Sequence, residues 1–338
     1  MAHHTTLADW LAANTDDGEQ GRALIDVLNA LAEASARVGH LVRKGPLLPH
    51  PDDPTSIRDT IEGHANTILM DAARAAPVAH YASEDLDTVA VFDEAAPLAL
   101  AVDPLDGVSS IDGNATTGTI FSVFPRAASP EASFLRPGDE QIAAGYVMHG
   151  PATLMVLTLG KGTAVFTLDP DTATFRQTQP TLQTPPDAAA YAINAANYLH
   201  WDAPVRAYID DCVEGAAGPR EKDFKMRWVA SLVAETHRIL TLGGVFLYPR
   251  DDRPGHEHGT LRHVFDVAPI AFVTEQAGGG ATDGSRRVLE TTPEGLHDRA
   301  PLVFGSLSKV ERVQRYHTDP DFQDTAAPLF GTRGLFRA

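Results

Sequence analysis

The stretch Ala101 to Phe121, AVDPLDGVSSIDGNATTGTIF, constrains this chain most. Ala99 to Val102 is an apolar run that reads as a buried strand stopping at Asp103-Pro104. Pro104 and Gly107 set a turn there, so Asp103 and Asp106 can both be aimed at one cation. Hard oxygen donors suit magnesium, which keeps positions open for phosphate oxygens and water. Behind them, the backbone N–H groups of Gly107, Val108, Ser109 and Ser110 can form a nest for a phosphate. Asp-Pro and Asp-Gly are also ordinary turn formers, so the stretch alone leaves a plain loop open.

Two further acidic elements sharpen the reading. Glu84-Asp85 follow the short strand of VAHYASED, where adjacent carboxylates are costly unless solvated or coordinated. A solvated acidic loop is the alternative. Asp266 lies in LRHVFDVAPIAF, an apolar surround in which a bare carboxylate is expensive, with a helix N-cap as the alternative. Together these elements point to a metal-dependent phosphatase. The charge balance agrees: 45 acidic against 27 basic residues gives a net −18. That excess disfavours nucleic acid and anionic membranes as partners, and an anionic ligand then needs a local divalent cation. Cys212 is the only cysteine, which excludes an intrachain disulfide and a Cys-based zinc site and fits a reducing, cytoplasmic setting. No secretory leader is recognised at the start of the sequence, and no apolar run is long enough for a transmembrane helix.

Leu24, Val27, Leu28 and Leu31 mark a helix continuing through Val38 and Leu41. Gly45-Pro46 and the Pro-rich segment Pro49 to Pro54 break it. A second helix is expected over about Ile57 to Ala75, and further ones over Val205–Cys212, Trp228–Leu240 and Ala268–Ala277. Strands are expected in residues 78–85, 118–124, 143–150, 153–160 and 163–169, and over Val245–Tyr248. A Thr/Pro/Gln-rich segment near 179–186 reads as a linker between residues 1–180 and 181–338. Helices and strands mix without strict alternation, which favours a layered α/β (α+β) arrangement over one doubly wound sheet.

With these residues in view, the chain resembles the class I fructose-1,6-bisphosphatases, most closely the bacterial autotrophic branch. The resemblance runs from about Leu24 to Ser306. It rests on DPLDG at 103–107, GTIF at 118–121, FKMRW at 224–228, GGVFLYP at 243–249, GTLR at 259–262 and EQAGG at 275–279. It implies a sugar-phosphatase fold, a five-layered α-β-α-β-α sandwich with an N-terminal metal-binding part and a C-terminal sugar-phosphate-binding part. It implies Mg2+-dependent (Mn2+ is the alternative) hydrolysis of the 1-phosphate of a sugar bisphosphate in gluconeogenesis or the Calvin cycle, by a homotetramer. Carried over by position, Glu84, Asp103, the Leu105 carbonyl, Asp106 and Asp266 match metal ligands, and Asp85 matches a residue orienting the attacking water. The N–H groups of Gly107 to Ser110 would hold the 1-phosphate, with Arg262 nearby. Asn194, Tyr198, Arg227 and Tyr248 match the 6-phosphate pocket, with Arg227 reaching into a neighbouring subunit. For the catalytic acid before the second helix, Glu62 is the best-spaced candidate and Asp59 the next.

The pattern departs from the family at several points. Asp85 and Asp266 replace glutamates, and Thr260 stands where a lysine or arginine is usual. The preceding loop, RDDRPGHEH at 250–258, offers substitute cations or histidines. The residues of an AMP site are missing, since the first helix is entered through Gly21 to Ile25 and Pro97-Leu98 precede the metal strand. AMP-insensitivity is therefore expected, and Asp106→Ala is expected to abolish turnover while leaving the fold nearly intact. Preference for sedoheptulose 1,7-bisphosphate, another phosphosugar or an inositol phosphate, and a non-catalytic sugar-phosphate-binding role, stay open alternatives.

Overall fold

Residues 4–48 and 57–319 are described by a computed structural model. Five layers stack through the molecule. The outermost is helical. α1 (Leu7–Asn14) leads into α2 (Glu19–Lys44), which buries Leu24, Val27, Leu28, Leu31 and Val38 along one stripe and ends at Gly45 with φ +45°. α3 (Ile57–Ala75) buries Ile61, Ala65, Leu69 and Ala73, four residues apart. That spacing puts one face of each helix on the sheet below.

The first sheet has eight strands: β1 (Val78–Ser83), β2 (Ala90–Val91), β3 (Leu98–Asp106), β4 (Thr117–Pro125), β5 (Ala143–His149), β6 (Thr153–Thr158), β7 (Thr163–Asp169) and β8 (Thr174–Gln179). Their order is β2-β1-β3-β4-β5-β6-β7-β8, antiparallel except for the β1/β3 pair. Side chains alternate between faces. Phe121, Val123, Val147, Met155 and Leu157 meet α2 and α3, whereas Ile120, Tyr146 and Val156 enter a second core below.

That second core is filled by α5 (Leu232–Leu242) and α6 (Ala268–Gln276), the central helical layer. α4 (Ala203–Val213) and α7 (Leu307–Thr318) form the last layer. The second sheet lies between these two helical layers. Its strands are β9 (Ala190–Ala192), β10 (Lys225–Met226), β11 (Val245–Tyr248), β13 (Gly280–Thr282) and β15 (Leu302–Gly305), ordered β10-β9-β11-β15-β13. A small ribbon pairs β12 (Leu261–Arg262) with β14 (Arg299–Ala300). Val245, Leu247 and Val303 face Tyr208 and Tyr316 of the last layer, while Phe246, Leu302 and Phe304 face the central helices. The α-β-α-β-α expectation holds.

Three local expectations are corrected. The metal strand does not stop at Asp103 but runs through Pro104 to Asp106. The fourth predicted helix begins at Leu232 rather than Trp228, because Ser231 caps it and the buried Glu235 carboxylate takes the Val229 N–H at 2.8 Å. β8, α1 and α7 were not foreseen; β8 is polar and carries no strong apolar alternation. The Pro49–Pro54 breaker lies outside the described residues.

His149 closes β5 beneath α2, where a Cβ on Gly39 would lie 3.0 Å from its Nδ1. Nε2 sits 3.3 Å from the Thr119 hydroxyl, and Nδ1 has no partner among the described residues. Burial, with the Arg43 charge adding to it, pulls the imidazole down to about 3. Above the ordinary histidine value both states are neutral; below it the unfolded chain takes up a proton that the folded chain refuses. Stability therefore falls as pH descends from about 6.5 toward 3, by about 1.4 kcal/mol per pH unit for this residue. Urea unfolding between pH 7 and 5 is expected to show a shallower pH slope for His149→Gln than for the wild type. Equal slopes would contradict the burial argument.

Candidate metal centre and active-site cleft

In a regular strand, residues three apart point to opposite faces. Asp103 pairs with Ile120 and Asp106 with Gly118, so β3 spends one extra residue against β4. This bulge contains Pro104, which has no N–H to give to the ladder. The extra residue returns Asp106 to the face of Asp103, and both line one cleft of about 500 Å³. Gly107 then turns the chain with φ +78°, and a Cβ there would come within 3.1 Å of the Ser231 Cβ. Only glycine suits both demands.

The parallel pairing of β1 with β3 sets Ser83 beside Val102, and the Glu84 N–H bonds the Val102 carbonyl at 3.1 Å. Glu84 is thereby delivered to the same sheet end as Asp103. Asp266 arrives from the other side, on a π-helical turn over His263–Val267 that precedes α6. Val264 and Phe265 anchor this turn in an apolar cluster with Ala99 and Ala101 of β3. Asp266 Oδ2 accepts the Arg262 N–H at 2.7 Å, which fixes its carboxyl despite a side chain one methylene shorter than glutamate.

One carboxylate oxygen each from Glu84, Asp103 and Asp266 lies within 4.8 Å of the others. Asp103 and Asp266 are 6% exposed. Burial, then repulsion from Glu84, holds both carboxyls well above the usual range. Such crowding of like charges is unfavourable unless a cation compensates it. Arg262 contributes only its Nε, 3.4 Å from Glu84 Oε1. An all-oxygen donor set of this spacing fits a hard divalent cation.

Asp106 differs from the other three. Its Oδ2 accepts the Ser231 hydroxyl at 2.9 Å and the Val233 N–H at 2.8 Å, and its Oδ1 accepts the Leu232 N–H at 3.2 Å. It thus secures the N-terminus of α5 as well as facing the cleft. The expectation that it could be removed at little cost to the fold is corrected by these three bonds.

The remaining predicted residues divide. Glu62 on α3, Asp85, Leu105, Gly107, Val108, Ser109, Asn194 and Tyr248 line the cleft; Asp59 does not. Burial, with Glu84 adding to it, pushes Asp85 up to about 6, and burial with Asp85 raises Glu62. The Ser110 N–H is spent on the Gly107 carbonyl at 2.8 Å, so the expected four-residue cradle loses its last donor. Tyr198 turns its hydroxyl to both Asp210 oxygens at 2.9 Å and does not line the cleft. Arg227 is exposed and bonds the Met226 carbonyl. Arg262 sits behind Glu84 and is held by the His297 carbonyl.

Several lining residues were missed. Trp228 stacks on Phe246 at 5.7 Å and on Tyr248 at 5.8 Å, making an aromatic wall beside Ala230 and Ser231. The N-cap pattern of Ser231 before an apolar run was the available signal. No sequence rule points to Ala230, which takes a left-handed φ of +62°.

Residues 57–180 match the model of the fructose-1-6-bisphosphatase N-terminal domain, and residues 184–318 that of the C-terminal domain. A class 1 fructose-1,6-bisphosphatase of Cereibacter sphaeroides is 56% identical over 277 residues, 81% of this chain and 83% of the relative. That of Paracoccus denitrificans is 50% identical over 314 residues, 92% and 94% of the two chains. The holo-form crystal structure of Leishmania major fructose-1,6-bisphosphatase superposes with a TM-score of 0.85 at 27% identity, covering 94% of this chain and 100% of that one.

Two outcomes follow from the carboxylates. Magnesium is expected to raise the melting temperature of the wild type, while Asp103→Asn loses that shift and is no less stable than wild type without metal; a retained shift would contradict the cluster. Asp106→Ala is expected to lose about 1–2 kcal/mol in metal-free urea unfolding through the cap of α5. Wild-type stability in that variant would remove the capping role.

Proposed function

The chain belongs to the class 1 fructose-1,6-bisphosphatase family and is an enzyme of that activity, and from this premise we propose how its residues divide the work. The observation that carries the reading is the convergence of Glu84, Asp103 and Asp266 beside the Gly107 turn in one cleft. These carboxylates, with Asp106 and the Leu105 carbonyl, would hold Mg2+, with Mn2+ as an equally hard alternative. Bound there, such cations neutralise phosphoryl oxygens and acidify water. The N–H groups of Gly107, Val108 and Ser109 hold the 1-phosphate. Asp85, its N–H fixed by the Ser83 hydroxyl at 3.3 Å, orients the attacking water, and Glu62 faces the same space as the catalytic acid. Asn194 and Tyr248 guide the far end of the sugar, and fructose 6-phosphate leaves as product.

In this reading residues 1–180 supply most of the metal-binding half and 181–338 the sugar-phosphate half. The exposure of Arg227 supports a role at a neighbouring subunit in a homotetramer. A single buried cysteine supports a cytoplasmic enzyme, serving gluconeogenesis or the Calvin cycle. The residues Gly21–Ile25, in the first turns of α2, and Pro97-Leu98 support insensitivity to AMP.

Phosphate release from fructose 1,6-bisphosphate tests the whole reading, with sedoheptulose 1,7-bisphosphate and inositol 1-phosphate in parallel. Release that requires Mg2+, stops with EDTA, ignores micromolar AMP and is at least about tenfold less efficient on the monophosphate is expected. Release that persists in EDTA would overturn the metal assignment, and strong AMP inhibition would overturn the regulatory one.

A further inference from the structure

The cleft walls carry no lysine, arginine or histidine among the described residues. Bound cations can answer the phosphate that reacts. They cannot also answer a second phosphate at the far end of the sugar, which would leave an acidic cleft unpaired. A smaller cavity of about 150 Å³ shares the walls Asn194, Tyr248 and Thr260 with the cleft. Among the described residues its only basic side chains are Arg253 and His256.

We propose that Arg253 and His256, on the loop before β12, form the cationic seat for the second phosphate and set the preference for a bisphosphate. This rests on the reading of the cleft as the bisphosphate site. Arg253 is built for it. Asp251, 4% exposed in its side chain, grips Nε at 2.9 Å and Nη2 at 2.6 Å and accepts the Arg253 N–H at 3.1 Å. That grip fixes the guanidinium plane. Nη1 keeps no partner among the described residues, so the opposite edge of the fork stays open for a phosphate. The proximity to Tyr248 is electrostatic as well as steric, since the Arg253 charge favours the ionised phenol against the effect of burial. His256 holds its ring by Nδ1 at 3.1 Å from the Thr260 hydroxyl. Thr260 is thus a support for the ring rather than a phosphate-binding cation. Asn197 lines the same cavity, where Tyr198 does not. The carboxylate of Asp251 lowers the net attraction, but it faces the edge of the fork that the phosphate does not need.

The test is a KM-against-kcat split with product inhibition. Arg253→Gln is expected to raise KM for fructose 1,6-bisphosphate about tenfold with kcat within about threefold, and to weaken inhibition by fructose 6-phosphate about tenfold. Inhibition by inorganic phosphate, which occupies the other end, should stay as in wild type. His256→Ala should move the same constants in the same direction. Arg250→Gln, whose side chain pairs with Asp202 outside this cavity, serves as the control. Should Arg253→Gln misfold with Asp251 unpaired, the doubly neutral Asp251→Asn/Arg253→Gln and His256→Ala carry the test. Unchanged KM and unchanged fructose 6-phosphate inhibition in folded variants would overturn the proposal. A wild-type enzyme that neither hydrolyses the bisphosphate nor binds fructose 6-phosphate would instead overturn the underlying reading, and the proposal with it.

Discussion

Repulsion among buried carboxylates is the constraint around which this molecule is arranged. Glu84, Asp103 and Asp266 bring oxygens within 4.8 Å of one another from three different elements. No side chain among the described residues neutralises the group, apart from Arg262 at the 3.4 Å margin of Glu84. A chain left to itself would separate such groups. They are kept together by the packed apolar surround: the parallel β1/β3 pair, the cluster that pins the π-turn on Ala99 and Ala101, and the two cores on either face of the first sheet. The unfavourable electrostatics of the metal-free state are stored affinity for a cation.

Much of this was legible in the sequence because it is local. Helical stripes from Leu24 to Leu41 and Ile57 to Ala75, and the apolar strands after them, are set by periodicity alone. Glu84, Asp103 and Asp106 announced themselves as carboxylates at strand ends. What escaped depends on long-range contacts. The bulge at Pro104 is visible only once β4 is paired with β3. The double duty of Asp106 requires α5, more than 120 residues away, to be docked against it. The start of α5 was misplaced because the Trp228–Ala230 segment has a helical pattern but is drawn out by Glu235. Tyr198 was expected at the cleft but does not line it, and a carboxylate on α4, Asp210, takes its hydroxyl.

Charge is distributed in a way that matches a substrate with two anionic ends. The cleft is acidic and suited to cations; the adjoining cavity is the place where basic side chains enter. Within a protein of net charge −18, anion recognition is therefore confined to positions where the field is reversed locally. The aromatic wall of Trp228, Phe246 and Tyr248 lines the cleft, reaches the cavity through Tyr248, and offers an apolar surface for a sugar ring.

The most direct test of the central claim is anomalous diffraction from crystals of this protein grown with Mn2+ and inorganic phosphate. The account predicts a strong manganese peak bridging the carboxylates of Glu84, Asp103 and Asp266, with phosphate density against the N–H groups of Gly107 to Ser109. Manganese found elsewhere, or none between these three side chains at saturating metal, would contradict it.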